Sequence, residues 1–174
     1  MGAVVADIAT VVDQVLRTTG SSKLVLFGHA SGGHWAAMYA TQHPDKLDAL
    51  ILLNSMYGVD APWPLRAAFE DPQGLLAAGP LGCAGLRRTR LSQRLNLRIE
   101  DAHDLHVPVL YMRGARDHWS RPEDLEAMQR DLSTRAHSTF VTIPDGTHFL
   151  FLDRPEHGRT EMLRHIMEFL KSVR

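Results

Sequence analysis

The sequence has little that would fix the protein in an oxidising compartment or in a membrane. It contains one cysteine, Cys83, which cannot form a disulfide within the chain. No apolar run approaches the roughly 20 residues that a transmembrane helix needs. The first residues also lack the charged and apolar segments of a secretory signal. These absences predict a cytoplasmic protein with no membrane partner.

A strong charge of either sign is also lacking. Lys and Arg total 19 and Asp and Glu total 20 among 174 residues. The chain therefore has no strong field to attract nucleic acid or an anionic surface, and its partner is predicted to be a small molecule. A hydrophobic content of 44% in a chain of this length predicts one domain with a buried core.

Two kinds of apolar segment alternate along the chain. Short continuous runs, typical of strands that are buried on both faces, lie at residues 24–27, 47–53, 107–112 and 139–143. Apolar residues at helical spacing lie within residues 4–16, 32–43, 121–132 and 159–173. Ser120 and Glu123 predict a capping box at the start of the third helix. Strands separated by helices predict an α/β fold, with a parallel sheet flanked by helices.

The segment at residues 55–105 interrupts this alternation and is rich in proline and glycine. We interpret it as a cap inserted into a core that consists of residues 1–54 and 106–174. A long disordered loop is the alternative, but loops of that length inside one compact domain are uncommon.

The junction between the first strand and the second helix carries the clearest motif. Residues 27–34 read Phe-Gly-His-Ala-Ser-Gly-Gly-His. Glycines on both sides of a central residue allow the sharp turn of a nucleophile elbow, Gly-x-Ser-x-Gly. Here Gly28 and Gly32 flank Ala30, so alanine occupies the position of the nucleophilic serine. The alternative register centres on Ser31, but it loses the leading glycine and re-aims the side chain.

This segment resembles the α/β-hydrolase family, in which it very often reads Gly-His-Ser-x-Gly-Gly, and the resemblance covers nearly the whole chain. The family commonly carries its triad acid in a Gly-x-x-Asp segment after a later strand, which is similar to residues 114–117. The triad histidine follows one more strand, and residues 145–149, Asp-Gly-Thr-His-Phe, are similar. The resemblance implies that Asp117 is the acid and His148 the base, in the chain order of this fold.

The resemblance also implies the chemistry, which is acyl transfer through a covalent intermediate without a cofactor or a metal. Asp117 orients His148, and His148 moves the proton of the nucleophile's hydroxyl. The backbone N–H of Ser31 stabilises the oxyanion. We assign His29 and Trp119 to the substrate side of the pocket.

These residues also have plainer interpretations. Asp117 could cap a helix or close a turn, and His148 is one of ten histidines. Asp153 is the alternative acid. A second group of possible metal ligands has no recognised motif spacing, and we expect a solvated turn there. This group consists of Asp101, His103, Asp104 and His106.

The chain departs from the family pattern in two ways. It resembles the C-terminal portion of the fold, because the family's earlier strands and the loop with a second oxyanion N–H have no counterpart. We therefore expect a complementing N-terminal hydrolase segment or self-association. Ala30 predicts an inactive protein, which could be an engineered serine-to-alanine form or a naturally inactive, hydrolase-like binding protein.

Apolar residues in the cap favour a small, largely apolar carboxylic ester or lactone as the substrate. They are Trp63, Leu65, Phe69, Leu75 and Leu76. Carbon-carbon bond hydrolysis and amide hydrolysis, which also occur on this fold, remain open alternatives.

Overall fold

The computed structural model describes residues 2–57, 102–132 and 137–173. Four parallel strands form one sheet in the order β1-β2-β3-β4. They are β1 (Leu24–His29), β2 (Leu47–Leu53), β3 (Val109–Gly114) and β4 (Ser138–Ile143). The described residues also form the helices α1 (Gly2–Thr19), α2 (Ser31–Gln42), α3 (Pro122–Leu132) and α4 (Arg159–Ser172). None of these helices is long and apolar enough to cross a membrane.

Helices cover both faces of the sheet. α1, α2 and α3 contribute to one buried cluster, which includes Tyr39, Leu50 and Tyr111. α4 packs on the opposite face through Met162 and Phe169. Each predicted strand and helix is present, and the predicted α/β fold with a parallel, helix-flanked sheet is confirmed. The carboxyl ends of the four strands therefore lie at one edge, where the loops that carry the candidate site residues meet.

The strands differ in how far they are buried. All residues of β2 except Asp48 are buried, and β3 is buried throughout. The prediction that β1 is buried on both faces is wrong for the described chain, since Val25 is 36% and Phe27 46% exposed. Within the described residues β1 pairs only with β2, and α4 contacts β3 and β4 instead. The continuous apolar run therefore predicted the strand correctly, but it did not predict that one face of the strand is exposed.

The start of α3 lies one residue beyond the predicted capping box. The helix begins at Pro122, which suits a first helical position, so Arg121 precedes it. The Asp124 carboxylate accepts a hydrogen bond from the Arg121 backbone N–H at 3.1 Å and from its guanidinium Nε at 2.9 Å. Asp124 therefore takes the role predicted for Glu123, and Ser120 does not cap the helix.

The two ends of the predicted cap lie side by side, whereas residues 58–101 are outside the described part of the chain. The Tyr57 hydroxyl accepts a hydrogen bond from the Ala102 backbone N–H at 3.2 Å. It donates one to the Asp131 carboxylate at 2.6 Å. The segment between these ends therefore leaves and rejoins the core at one place, and its assignment as a cap stays a prediction.

Candidate active site

Ala30 lies at the turn between β1 and α2. Its backbone angles are φ 51° and ψ −126°, a region that L-residues with a side chain rarely adopt and that costs about 1–3 kcal/mol. The turn is fixed by hydrogen bonds from the Ala30 N–H to the Leu53 carbonyl and from the Gly33 N–H to the Ala30 carbonyl, both at 3.0 Å. Ser31 is the first residue of α2 and is exposed. This geometry supports the register that centres on Ala30.

Close backbone contacts explain which glycines the turn requires. A Cβ on Gly28 would lie 2.6 Å from the Gly33 Cα, and a Cβ on Gly33 would lie 1.8 Å from the Ser55 Oγ. A Cβ on Gly32 would meet nothing within 4 Å. Gly28 and Gly33, rather than the predicted pair Gly28 and Gly32, are therefore the glycines that sterics demand.

Alanine substitutions at two of these glycines should change stability in opposite directions. Gly28→Ala should lower the free energy of unfolding by about 1–3 kcal/mol, because two backbone segments must separate. Gly32→Ala should raise it by up to about 1 kcal/mol, because alanine loses less conformational entropy in a helix. Urea denaturation of both variants measures the difference, and equal effects would contradict the close packing of Gly28.

Asp117 and His148 are brought together by the loops after β3 and β4. The His148 Nδ1 lies 3.0 Å from the Asp117 Oδ2. The Asp117 side chain is fully buried and that of His148 is 17% exposed. The second carboxylate oxygen of Asp117 accepts a hydrogen bond from the Trp119 backbone N–H at 2.8 Å. Since the carboxylate accepts at Nδ1, that nitrogen carries the proton and Nε2 is left as the base.

A buried arginine that stands in no sequence motif fixes the loop that carries Asp117. The Arg113 guanidinium donates to the Ser120 carbonyl at 3.2 and 2.9 Å and to the Asp117 carbonyl at 3.2 Å. Burial lowers the pKa of Arg113, and the charge of Asp117 opposes that shift. The loop is therefore held by hydrogen bonds from within the protein.

Aromatic rings surround the His148 imidazole. The His29 ring lies 4.8 Å from it, the Phe149 ring 5.1 Å and the Trp119 ring 6.1 Å. The His29 Nε2 is also 2.8 Å from the His148 carbonyl oxygen. Burial lowers the pKa of His29, which keeps its ring neutral over a wider pH range. The surroundings of the candidate base are thus largely apolar.

Asp153, the alternative acid, supports the histidine loop in another way. Its carboxylate accepts hydrogen bonds from the Thr147 backbone N–H and from the Thr147 hydroxyl, both at 2.8 Å. The carboxylate in contact with the His148 imidazole is that of Asp117 instead. Asp117 is therefore the carboxylate that can orient the ring.

The predicted solvated turn near residue 103 lies only partly within the described residues. Asp101 lies outside the described residues, and so does the side chain of His103. Over the ranges that are described, no group of three or more His, Cys, Asp or Glu side chains could hold a metal ion.

A strained strand-to-helix turn, followed along the chain by an aspartate and a histidine in contact, is the arrangement typical of the α/β-hydrolase fold. A family profile described as serine aminopeptidase, S33, matches residues 1–79. The α/β-hydrolase domain-containing protein WAV2 of Arabidopsis thaliana is 27% identical over 136 residues, which are 74% of this chain and 41% of that protein. The chain thus spans about two fifths of the length of this curated relative.

Solved structures of other proteins have the same fold. A monoacylglycerol lipase of Paleococcus ferrophilus aligns with a TM-score of 0.63 and 21% identity, over 98% of this chain and 76% of its own. An enol-lactonase of Burkholderia xenovorans aligns with a TM-score of 0.60 and 17% identity, over 96% of this chain and 73% of its own. These likenesses show that the chain has the α/β-hydrolase fold.

Proposed function

We propose that this site is that of a serine hydrolase acting on small, largely apolar carboxylic esters or lactones, with alanine in place of the nucleophile. The observation that carries the proposal is the contact between the His148 Nδ1 and the Asp117 Oδ2 at 3.0 Å. A buried carboxylate behind an imidazole is the arrangement that activates a serine hydroxyl. Ala30, in its strained turn, is where that hydroxyl would stand.

The chemistry at the elbow follows from the start of α2. Ser31 and Gly32 are its first two residues, and the first N–H groups of a helix have no acceptor within the helix. They also lie at the positive end of the helix dipole, which favours a developing oxyanion. The chain therefore keeps an acid, a base and oxyanion donors but has no hydroxyl at residue 30. It should bind a substrate without forming an acyl-enzyme.

The apolar surroundings of His148 support the assignment of the substrate class. The rings of Phe149 and Trp119 lie near the imidazole, so an acyl chain or a ring could pack beside the reacting carbonyl. The lipase and the lactonase named above are both hydrolases of oxygen esters. Amide hydrolysis, which uses the same acyl-transfer chemistry, stays the alternative because the matching family profile is described as an aminopeptidase.

The substitution Ala30→Ser tests this proposal with a nitrophenyl acyl ester as substrate. The released nitrophenol is measured by absorbance, and the unchanged chain is the reference. Appearance of turnover that depends on His148 supports a hydrolase site.

Ala30 itself favours a second candidate, a hydrolase-like protein that binds its ligand and does not cleave it. Such a protein would bind an ester without releasing its alcohol, and Ala30→Ser would leave it inert. The Ala30→Ser form separates the two candidates: saturable binding of the nitrophenyl ester in calorimetry without release of nitrophenol supports the binding protein, and release of nitrophenol supports the hydrolase.

We further propose a cytoplasmic protein that is completed by another polypeptide segment or by a second copy of itself. The single cysteine supports the compartment. The association is supported by exposed apolar residues on β1 and α1, where Val11 is 61% and Phe27 46% exposed. Apolar side chains exposed on a strand at the edge of the described sheet favour pairing with another chain.

Light scattering should accordingly report a mass above that of one chain. The double substitution Val25→Thr with Phe27→Thr removes the apolar side chains but keeps β-branched residues that suit a strand. It should therefore shift the population towards the monomer. A compact monomer of the unchanged chain at micromolar concentration would overturn the proposal.

A further inference from the structure

Asn54 directly follows β2 and has a buried, fully engaged side chain. It is 1% exposed, and its φ of 50° lies in the left-handed region that asparagine tolerates better than most residues. The side-chain oxygen accepts a hydrogen bond from the Gly114 N–H at 2.8 Å. The side-chain nitrogen donates to the Thr147 carbonyl at 3.0 Å and to the His148 carbonyl at 2.8 Å.

These three contacts join the two segments that carry the candidate acid and base. Gly114 ends β3, and the turn to Asp117 is closed by a hydrogen bond from the Asp117 N–H to the Gly114 carbonyl at 3.1 Å. The other two contacts hold the backbone of His148 and of the residue before it. One amide therefore fixes both loops relative to each other.

Packing between the loops makes this connection a tight one. A Cβ on Gly114 would lie 2.2 Å from the Gly146 carbonyl oxygen, so the two backbones are in direct contact there. A neutral primary amide can accept from one loop while donating twice to the other. A carboxylate of the same size can only accept, and an aliphatic side chain can do neither.

We propose that Asn54 is a positioning residue that holds the His148 ring in line with Asp117 and thereby sets which ring nitrogen carries the proton. The tautomer of a histidine is set by the hydrogen bond of its other nitrogen, and that bond weakens steeply with misalignment. This positioning of the His148 ring does not depend on hydrolase activity. Its kinetic consequence rests on the proposed function.

The test observes the His148 tautomer by ¹⁵N NMR of the full chain with labelled histidine, over a series of pH values. The His148→Gln variant assigns the signal. In the unchanged chain the Nδ1 should have the shift of a protonated nitrogen and Nε2 that of an unprotonated one. In Asn54→Asp and Asn54→Gly this difference should shrink or reverse, because the loop is no longer aligned.

The two variants separate positioning from general stability. Both residues tolerate a positive φ, so the turn after β2 is kept, and Asn54→Asp also keeps the acceptor for Gly114. Tyr57→Phe is the matched control, since it removes two hydrogen bonds, of 2.6 and 3.2 Å, elsewhere in the fold. It should lower the melting temperature and leave the His148 shifts unchanged. Folded Asn54 variants with the original tautomer would overturn the proposal.

Kinetics add a second readout in the Ala30→Ser background. There Asn54→Asp should lower kcat by about 10²-fold with little change in KM, as expected for a small misplacement of a catalytic group. An equal loss in Tyr57→Phe would overturn the assignment. If Ala30→Ser itself is inert, the proposed hydrolase function fails, whereas the tautomer result still decides the role of Asn54.

Discussion

The substitution Ala30→Ser should raise the esterase activity of the chain, with a gain of up to about 10⁶-fold in kcat. The estimate follows from the cooperative behaviour of such units, in which removing the nucleophile costs about as much as removing all three members. Asp117 and His148 are already 3.0 Å apart. The hydroxyl is then the missing member of the proposed triad.

Controls for this experiment use the neighbouring residue and the base. Ser31→Ala should have little effect in either background, because Ser31 contributes its backbone N–H, which alanine retains. His148→Gln combined with Ala30→Ser should return the rate to background. Hydrolysis of the nitrophenyl ester is measured with any completing segment present. Activity that depends on the Ser31 hydroxyl would show that the elbow centres on Ser31 and not on Ala30.

The fold was predictable because its signals are local. Each buried strand is a short apolar run, as in residues 47–53, and the helices follow the 3.6-residue period. The cover over β1 was not predictable, since Phe27 is as apolar as a core residue but is 46% exposed. Its exposure depends on where α4 packs, which is a property of the tertiary structure.

The candidate site likewise contains residues that the sequence predicts and residues that it does not. Ala30, Asp117 and His148 stand in motifs that a single sequence displays, and two of them are in contact in the structure. Asn54 and Arg113 stand in no motif. Their importance comes from backbone groups that are distant in sequence, such as the 94 positions between Asn54 and the His148 carbonyl. An asparagine directly after a buried strand was a weak signal of a turn with positive φ.

The replacement Asp117→Asn, made in the Ala30→Ser background, should lower kcat by about 10⁴-fold. The amide has nearly the shape of the carboxylate, so packing in this fully buried position is kept. Its NH₂ group can donate to the His148 Nδ1, however, which favours the ring with the proton on Nε2. That ring cannot accept a proton from a serine hydroxyl. The Asp117→Asn variant also lacks the negative charge that stabilises the imidazolium.

The matched control is Asp153→Asn, the same chemical change on the other carboxylate of this region. Asp153 accepts its hydrogen bonds from the backbone N–H and the hydroxyl of Thr147. Its replacement should disturb the histidine loop only modestly, because an amide oxygen can still accept one of those bonds. Steady-state kinetics should therefore show a far larger loss for Asp117→Asn. If Asp153→Asn causes the larger loss, Asp153 is the acid that acts on His148, and the contact to Asp117 is only structural.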